Sequence, residues 1–121
     1  MEFTAYTGTT MAQSTHTPVK LAGFAAAGTF SVEQIRLDDW LAVEHAAGRR
    51  PQCLLKVDVE GFEAEVLKGA AETLRHTLAV SIETHTAALT DTCRDMLAAA
   101  GFAVTVTPYH EPGMAIINAT R

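Results

Sequence analysis

The residues best suited to chemistry follow two apolar segments of the chain. In LLKVDVEG, charged residues occupy every second position, and LAVSIETH ends with the same spacing. Carboxylate and imidazole groups can orient a bound substrate and accept a proton from it. The predicted catalytic residues are Asp58, Glu60, Glu83 and His85.

The elements that position these residues have the features of an α/β fold. Residues 53–59 and 78–83 are almost continuously apolar, which is typical of parallel strands buried on both faces. Apolar residues then recur at helical spacing from Phe62 to Leu74 and from Leu89 to Ala100. Because ligands bind beyond the carboxyl ends of parallel strands, we expect the four candidates to meet at one edge of a sheet. Gly69 lies within the first helical pattern, and we attribute it to a close helix–strand approach, since glycine there costs about 1 kcal/mol.

The remaining chain adds short strands around this unit. A Thr-rich loop is predicted at 8–18, and a helix capped by Asp38 or Asp39 ends at Gly48. The other strands are predicted at residues 2–7, 30–37, 102–109 and 114–120. The last two flank the turn HEPG and are expected to be antiparallel. The fold class is therefore α/β, with parallel strands, crossover helices and an antiparallel pair at the carboxyl end.

Length and charge limit the classes of function. A chain of 121 residues, counted from the sequence, is expected to form a single domain covering 1–121. The net charge is -5 and the nine Lys and Arg residues are scattered, which argues against a nucleic-acid or acidic-membrane partner. Cys53 and Cys93 lack metal-ligand spacing and are interpreted as apolar core residues of a reducing compartment. With no signal-like start, the predicted location is the cytoplasm.

Two other interpretations of the charged residues stay open at this point. In the first, Lys56 pairs with Asp58 or with Glu63 or Glu65, and the network has only a structural role. His85 would then be a solvated loop residue. In the second, the acidic residues and His85 bind a divalent metal such as Mg²⁺ or Mn²⁺. Their spacing matches no metal-binding motif, so the sequence predicts no metal site.

The central block resembles a known family. LKVDVEGFEAEVLKGA, preceded by IRLDDWL and followed by SIETH and LAAAGF, is similar to the carboxyl-terminal half of FkbM-type methyltransferases. The similarity extends in order from about Phe3 to Thr107. The matching positions are Leu37, Asp38, Asp39, Lys56, Asp58, Glu60, Gly61, Glu63, Leu67, Lys68, Gly69, Ala70 and Glu83.

The resemblance implies a partial class I, Rossmann-like methyltransferase sheet that uses S-adenosylmethionine. It implies methyl transfer to a hydroxyl of a sugar- or polyketide-like small molecule. Asp58 would lie beside cofactor and acceptor, while the other three candidates would orient or deprotonate the hydroxyl. Lys56, Ser14 and His16 are predicted to contact the acceptor.

One departure from the family concerns the cofactor. The family holds it with a glycine-rich turn, whereas the glycines at 8, 23, 28, 48, 61, 69, 101 and 113 form no G-x-G after a buried strand. We therefore expect this chain to be the acceptor half, with the cofactor-binding half in a preceding segment or a second chain. No cofactor-binding residue is predicted. Alone, the chain is expected to be inactive and to self-associate; the alternatives are a non-catalytic, partner-binding remnant and a metal-assisted hydrolase.

Overall fold

The computed structural model describes residues 2–6, 12–14, 26–49 and 52–121, and these confirm the α/β class. The strands are β1 (Glu2–Tyr6), β2 (Ala12–Ser14), β3 (Ala26–Ser31), β4 (Cys53–Val57), β5 (Thr77–Thr84), β6 (Ala103–Pro108) and β7 (Ala115–Thr120). The helices are α1 (Leu37–Ala46), α2 (Glu63–Lys68), α3 (Ala71–Leu74) and α4 (Ala87–Ala99). None of the helices in this part of the chain is long and apolar enough to cross a membrane.

The second half of the chain forms a four-stranded sheet of order β4-β5-β7-β6. Strands β4 and β5 are parallel, with Leu55 opposite Val80. Strand β7 is antiparallel to both β5 and β6, which confirms the predicted antiparallel pair. The carboxyl ends of β4 and β5 therefore lie side by side, as the sequence predicts.

The core lies between one face of this sheet and helices α2 and α4. Leu67, Ile82, Leu97 and Ile117 are fully buried in it. The opposite face is open among the described residues, since Leu54 is 78% exposed. The prediction that the β4 strand is buried on both faces is therefore wrong for this part of the chain.

Cys93 agrees with the sequence interpretation, because it is a free thiol and is completely buried in the core. Cys53, at the start of β4, is only half-buried. Burial raises the pKa of the Cys93 thiol to about 11, so this side chain stays protonated and apolar in character.

The amino-terminal region differs from its prediction. β2, β1 and β3 form an antiparallel sheet in that order, so residues 12–14 form a strand inside the predicted loop. The strand predicted at 30–37 ends at Ser31, where its pairing with β1 ends. Residues 32–36 then lead into α1, and the backbone N–H of Asp38 donates to the carbonyl of Gly69 at 3.0 Å. Because residues 32–37 alternate in polarity, they were predicted as part of a strand, but residues 32–36 form a connecting segment.

The helix predicted from Phe62 to Leu74 is two short helices, α2 and α3. Gly69 is the C-cap of α2 rather than a mid-helix residue. A Cβ at Gly69 would lie 3.6 Å from Cα of Arg36, which is an ordinary contact and involves no strand. The close helix–strand approach proposed for this glycine is therefore wrong.

Asp38 caps α3 rather than its own helix. Its carboxylate accepts hydrogen bonds from the backbone N–H of Thr73 at 2.8 Å and of Glu72 at 3.1 Å. Ala70, the residue before α3, has no side chain that could accept these bonds. The prediction that Asp38 caps the helix following it is wrong, because α1 begins one residue earlier and α3 presents its amino end to Asp38.

Candidate functional site

The ends of β4 and β5 bring the predicted catalytic residues together. Val57 lies opposite Ile82 in the parallel pair, so the residues that follow each strand emerge at one edge of the sheet. Donor atoms of Asp58, Glu83 and His85 all lie within 4.8 Å of one another. We call this group, with Glu60 and Glu63, the acidic rim.

His85 lies at the centre of the acidic rim between two carboxylates. Its Nδ1 is 2.8 Å from Oε1 of Glu63, and its Nε2 is 3.3 Å from Oε2 of Glu60. The side chain is only 4% exposed, so the interpretation of His85 as a solvated loop residue is wrong. The hydrogen bond to Glu63 raises the pKa of His85, and it outweighs the opposing effect of burial.

Glu63 is the residue of this site that the sequence did not single out as functional. It is completely buried, and its Oε1 accepts from the Gly61 backbone N–H at 2.9 Å as well as contacting His85. Its second oxygen, Oε2, is buried without a hydrogen-bond partner among the described residues. Glu63 is the first residue of α2, where a carboxylate is favoured by the helix dipole, and this position was the available signal.

The backbone between β4 and α2 has an uncommon conformation. Glu60 has φ 54° and Gly61 has φ 102°, so a non-glycine residue occupies the left-handed region. Such residues cost about 1–3 kcal/mol and cluster at functional sites. Strand alternation has already ended at Val57, so Glu60 does not share a face with Lys56 as predicted. The turn instead directs Glu60 toward His85.

Lys56 and Asp58 form an ion pair at the solvent-facing side of the rim. Their Nζ and Oδ2 atoms are 2.8 Å apart, and their side chains are 69% and 36% exposed. Pairs with this exposure are screened by solvent and contribute little to stability. The pairing considered in the structural interpretation is therefore present, and it adds little to the stability of the fold.

A cleft of about 950 Å³ opens onto Asp58 and Glu60. Its walls come from residues 32–37, from α1 and from the turn between β4 and α2. Trp40 and Ile35 line it and are 65% and 60% exposed. Exposed apolar side chains grouped in a concave surface are typical of a binding site. Sequence reasoning missed this cleft because residues 32–37 were assigned to a strand.

Of the three predicted acceptor contacts, the structure describes the side chain of Lys56 only. Lys56 is at the rim, in its ion pair with Asp58. Ser14 lies in β2, where the structure describes the backbone but not the side chain. His16 lies outside the described residues, so both remain predictions.

Comparison with known proteins identifies the family. The chain matches the Methyltransferase FkbM domain over residues 3–104. No curated protein and no solved structure matches it. The match covers most of the chain and includes β4, β5 and the whole acidic rim. The family is one of methyltransferases, which indicates methyl transfer in general, and the chain belongs to this FkbM methyltransferase domain family.

Proposed function

We propose that this chain forms the acceptor side of an S-adenosylmethionine-dependent methyltransferase that acts on a hydroxyl of a sugar- or polyketide-like small molecule. The main support is that Asp58 and Glu60 both line a cleft with exposed apolar side chains. The chain that forms this cleft belongs to a methyltransferase family. The parallel β4–β5 pair, with the reversed strand β7 beyond it, supports a class I, Rossmann-like arrangement of the sheet.

In this proposal, the two cleft-lining carboxylates act on the acceptor. Asp58 accepts a hydrogen bond from the hydroxyl and fixes its position, which reduces the entropic part of the barrier. Glu60 takes the proton as the oxygen is methylated. His85 contacts Glu60 at 3.3 Å and is anchored by buried Glu63, so it acts as a positioning residue for Glu60. Glu83 completes the negative potential around the hydroxyl.

The lining of the cleft favours the less polar acceptor class. Trp40, Ile35 and Val32 offer exposed apolar surface to the cleft, and Asp58 and Glu60 offer carboxylates to it. An acceptor with an apolar body and a hydroxyl that reaches these carboxylates matches this lining. A polyketide-like alcohol therefore fits better than an unsubstituted sugar.

In this proposal, the described residues do not hold S-adenosylmethionine by themselves. No G-x-G turn is present in the sequence, and a Cβ at Gly28 or Gly48 would meet open space rather than a closely approaching group. We propose that another segment or a second chain supplies the cofactor site. Within the described residues β4 pairs only with β5, so a further strand can add at its other edge.

Calorimetry and sedimentation of the purified 121-residue chain test this partnership. We expect self-association and weak cofactor binding from the chain alone. A monodisperse monomer that binds S-adenosylmethionine at micromolar concentration would contradict the need for a second element. We also propose the cytoplasm as the compartment, since Cys93 is a free and completely buried thiol.

Transfer of a labelled methyl group tests the proposed function. The protein is purified under native conditions, so that any second chain is retained, and is assayed with sugars and with polyketide-like alcohols. We expect Glu60→Gln to lower kcat by about 10²-fold or more, the scale for a positioned base. Glu65→Gln is the matched control, since Glu65 also lines the cleft but is paired with Lys68 on α2. No transfer to any alcohol, or equal loss in both variants, would overturn the proposal.

A further inference from the structure

We propose that the acidic rim binds one divalent cation of the Mg²⁺ or Mn²⁺ type through Asp58, Glu83 and His85. The same residues serve the proposed methyl transfer, but the cation site does not rest on that proposal. The donor atoms of these residues lie within 4.8 Å of one another. Ligands on opposite sides of Mg²⁺ are separated by roughly 4.2 Å, because each metal–oxygen bond measures roughly 2.1 Å. The three side chains can therefore surround one ion after small rotations.

The contact between Glu63 and His85 has the form found behind metal-binding histidines. Such histidines almost always donate their second ring N–H to a carboxylate or carbonyl, which fixes the ring and the tautomer. Here Nδ1 of His85 lies 2.8 Å from the completely buried Glu63 carboxylate. This bond leaves Nε2 as the ligating atom, on the side of the ring that faces Glu60.

The charges at the rim are unbalanced without a cation. Four carboxylates, those of Asp58, Glu60, Glu63 and Glu83, surround His85, and Lys56 pairs with one of them, Asp58. The imbalance includes a carboxylate oxygen, Oε2 of Glu63, that is buried without a hydrogen-bond partner in the described part of the chain. Buried negative charge is strongly unfavourable unless it is compensated. A divalent cation at the rim supplies the missing positive charge.

The donor set selects the type of cation. Carboxylate oxygens favour Mg²⁺ and Mn²⁺, and a single imidazole is compatible with Mn²⁺. Asp58 can keep its ion pair with Lys56 through Oδ2 and bind the ion through Oδ1. No thiol contributes to the cluster, because Cys93 is buried in the core.

Titration of the metal-free chain with Mn²⁺, followed by electron paramagnetic resonance of the free ion, tests this site. We expect one ion per chain with a Kd below about 1 mM, the weak end of natural oxygen-ligand sites. Mg²⁺ should compete for it. Glu83→Gln should weaken binding at least tenfold, whereas Asp91→Asn should not, since Asp91 is an exposed acid on α4 paired with Arg94.

A second variant separates ligand loss from misfolding. Glu63→Gln should weaken Mn²⁺ binding by about 10–100-fold through the orientation of His85. If circular dichroism shows that Glu83→Gln or Glu63→Gln does not fold, the more exposed Asp58→Asn replaces that variant. Absence of Mn²⁺ binding to the wild-type chain, or binding that Glu83→Gln and Asp58→Asn leave unchanged, would overturn the site. Because the probe is the metal alone, the result is independent of whether methyl transfer is observed.

Discussion

Asp38 and Asp58 both lie in the segments that carry the family resemblance, yet the structure uses them differently. Asp38 accepts bonds from the backbone N–H and the hydroxyl of Thr73, both at 2.8 Å, and from the Glu72 N–H at 3.1 Å. Asp58 has one ion pair, with exposed Lys56, and lines the cleft. The comparison shows that one carboxylate is saturated by the fold, whereas the other keeps acceptor capacity for a ligand.

The same difference appears in the electrostatics of Asp38. Burial opposes ionisation of this residue, but the hydrogen bonds from Thr73 and Glu72 outweigh it and lower the pKa of Asp38. A lowered pKa in the folded state means that the ionised form stabilises the fold. This contribution is fully present above the unfolded pKa of Asp38 and is lost as the pH falls through its lowered folded value. Asp38 is therefore a stability residue with a specific acid sensitivity.

The largest expected effect is on methyl transfer. Asp58→Asn changes the charge at the cleft but hardly the shape of the side chain, so we expect kcat/KM to fall about 10²-fold or more. The unfolding midpoint should change little, because exposed ion pairs such as Lys56–Asp58 contribute little. Labelled methyl transfer and urea unfolding measure the two quantities. Wild-type turnover in folded Asp58→Asn protein would remove Asp58 from the site.

The next effect is on stability. Asp38→Ala removes the cap of α3 and should lower the free energy of unfolding by about 1–2 kcal/mol. The difference from wild type should shrink as the pH falls from about 4, the pKa of an unfolded aspartate, through the lowered pKa of folded Asp38. Urea unfolding across this pH range measures it. Asp39→Ala is the matched control, since Asp39 is exposed in the same turn of α1. Equal destabilisation by both variants would contradict the capping role.

A smaller effect is expected at the apolar wall of the cleft. Trp40 is 65% exposed, so Trp40→Ala should leave the fold stable while removing contact area for the acceptor. We expect KM for a polyketide-like alcohol to rise about tenfold, near 1.4 kcal/mol, with kcat nearly unchanged. Steady-state kinetics with an apolar and a sugar acceptor separate the two classes. An unchanged KM for both would exclude the cleft as the acceptor site.

The smallest effect is at Gly69. Its φ of -78° suits any residue, and an added Cβ would meet Glu65 carbonyl oxygen at 3.5 Å, an ordinary contact. Gly69→Ala should therefore stabilise the protein by about 0.4–1 kcal/mol through the unfolded state. A thermal scan detects this as a raised Tm. A lowered Tm would show that the junction between α2 and α3 needs glycine.

The sequence was most informative where apolar runs coincide with elements of the described sheet. The β4 and β5 segments, helix α4 and the antiparallel β6–β7 pair were predictable, because their side chains bury one face in a common core. Parallel pairing also predicted the meeting of Asp58 with Glu83 and His85. The segment 32–36 was not predictable, because its apolar residues line a cleft rather than a strand face.

The roles of Asp38 and Glu63 depend on tertiary contacts, which a local sequence pattern does not specify. Asp38 reaches α3, more than thirty residues along the chain, and Glu63 reaches His85 across the ends of two elements. Sequence spacing placed both acids at helix starts, where a local capping or dipole role was the expected one. Their actual partners follow from how α1 and α2 pack, which spacing alone does not specify.

The most direct test of the contrast between the two aspartates measures transfer rate per folded molecule in Asp38→Ala and Asp58→Asn side by side. The folded fraction of each variant is taken from its own urea curve. We expect Asp38→Ala to lose stability but to keep its rate per folded molecule within about twofold. Asp58→Asn should keep its stability and lose about 10²-fold in rate. Equal losses of rate in the two folded variants would contradict the division between a structural and a chemical carboxylate.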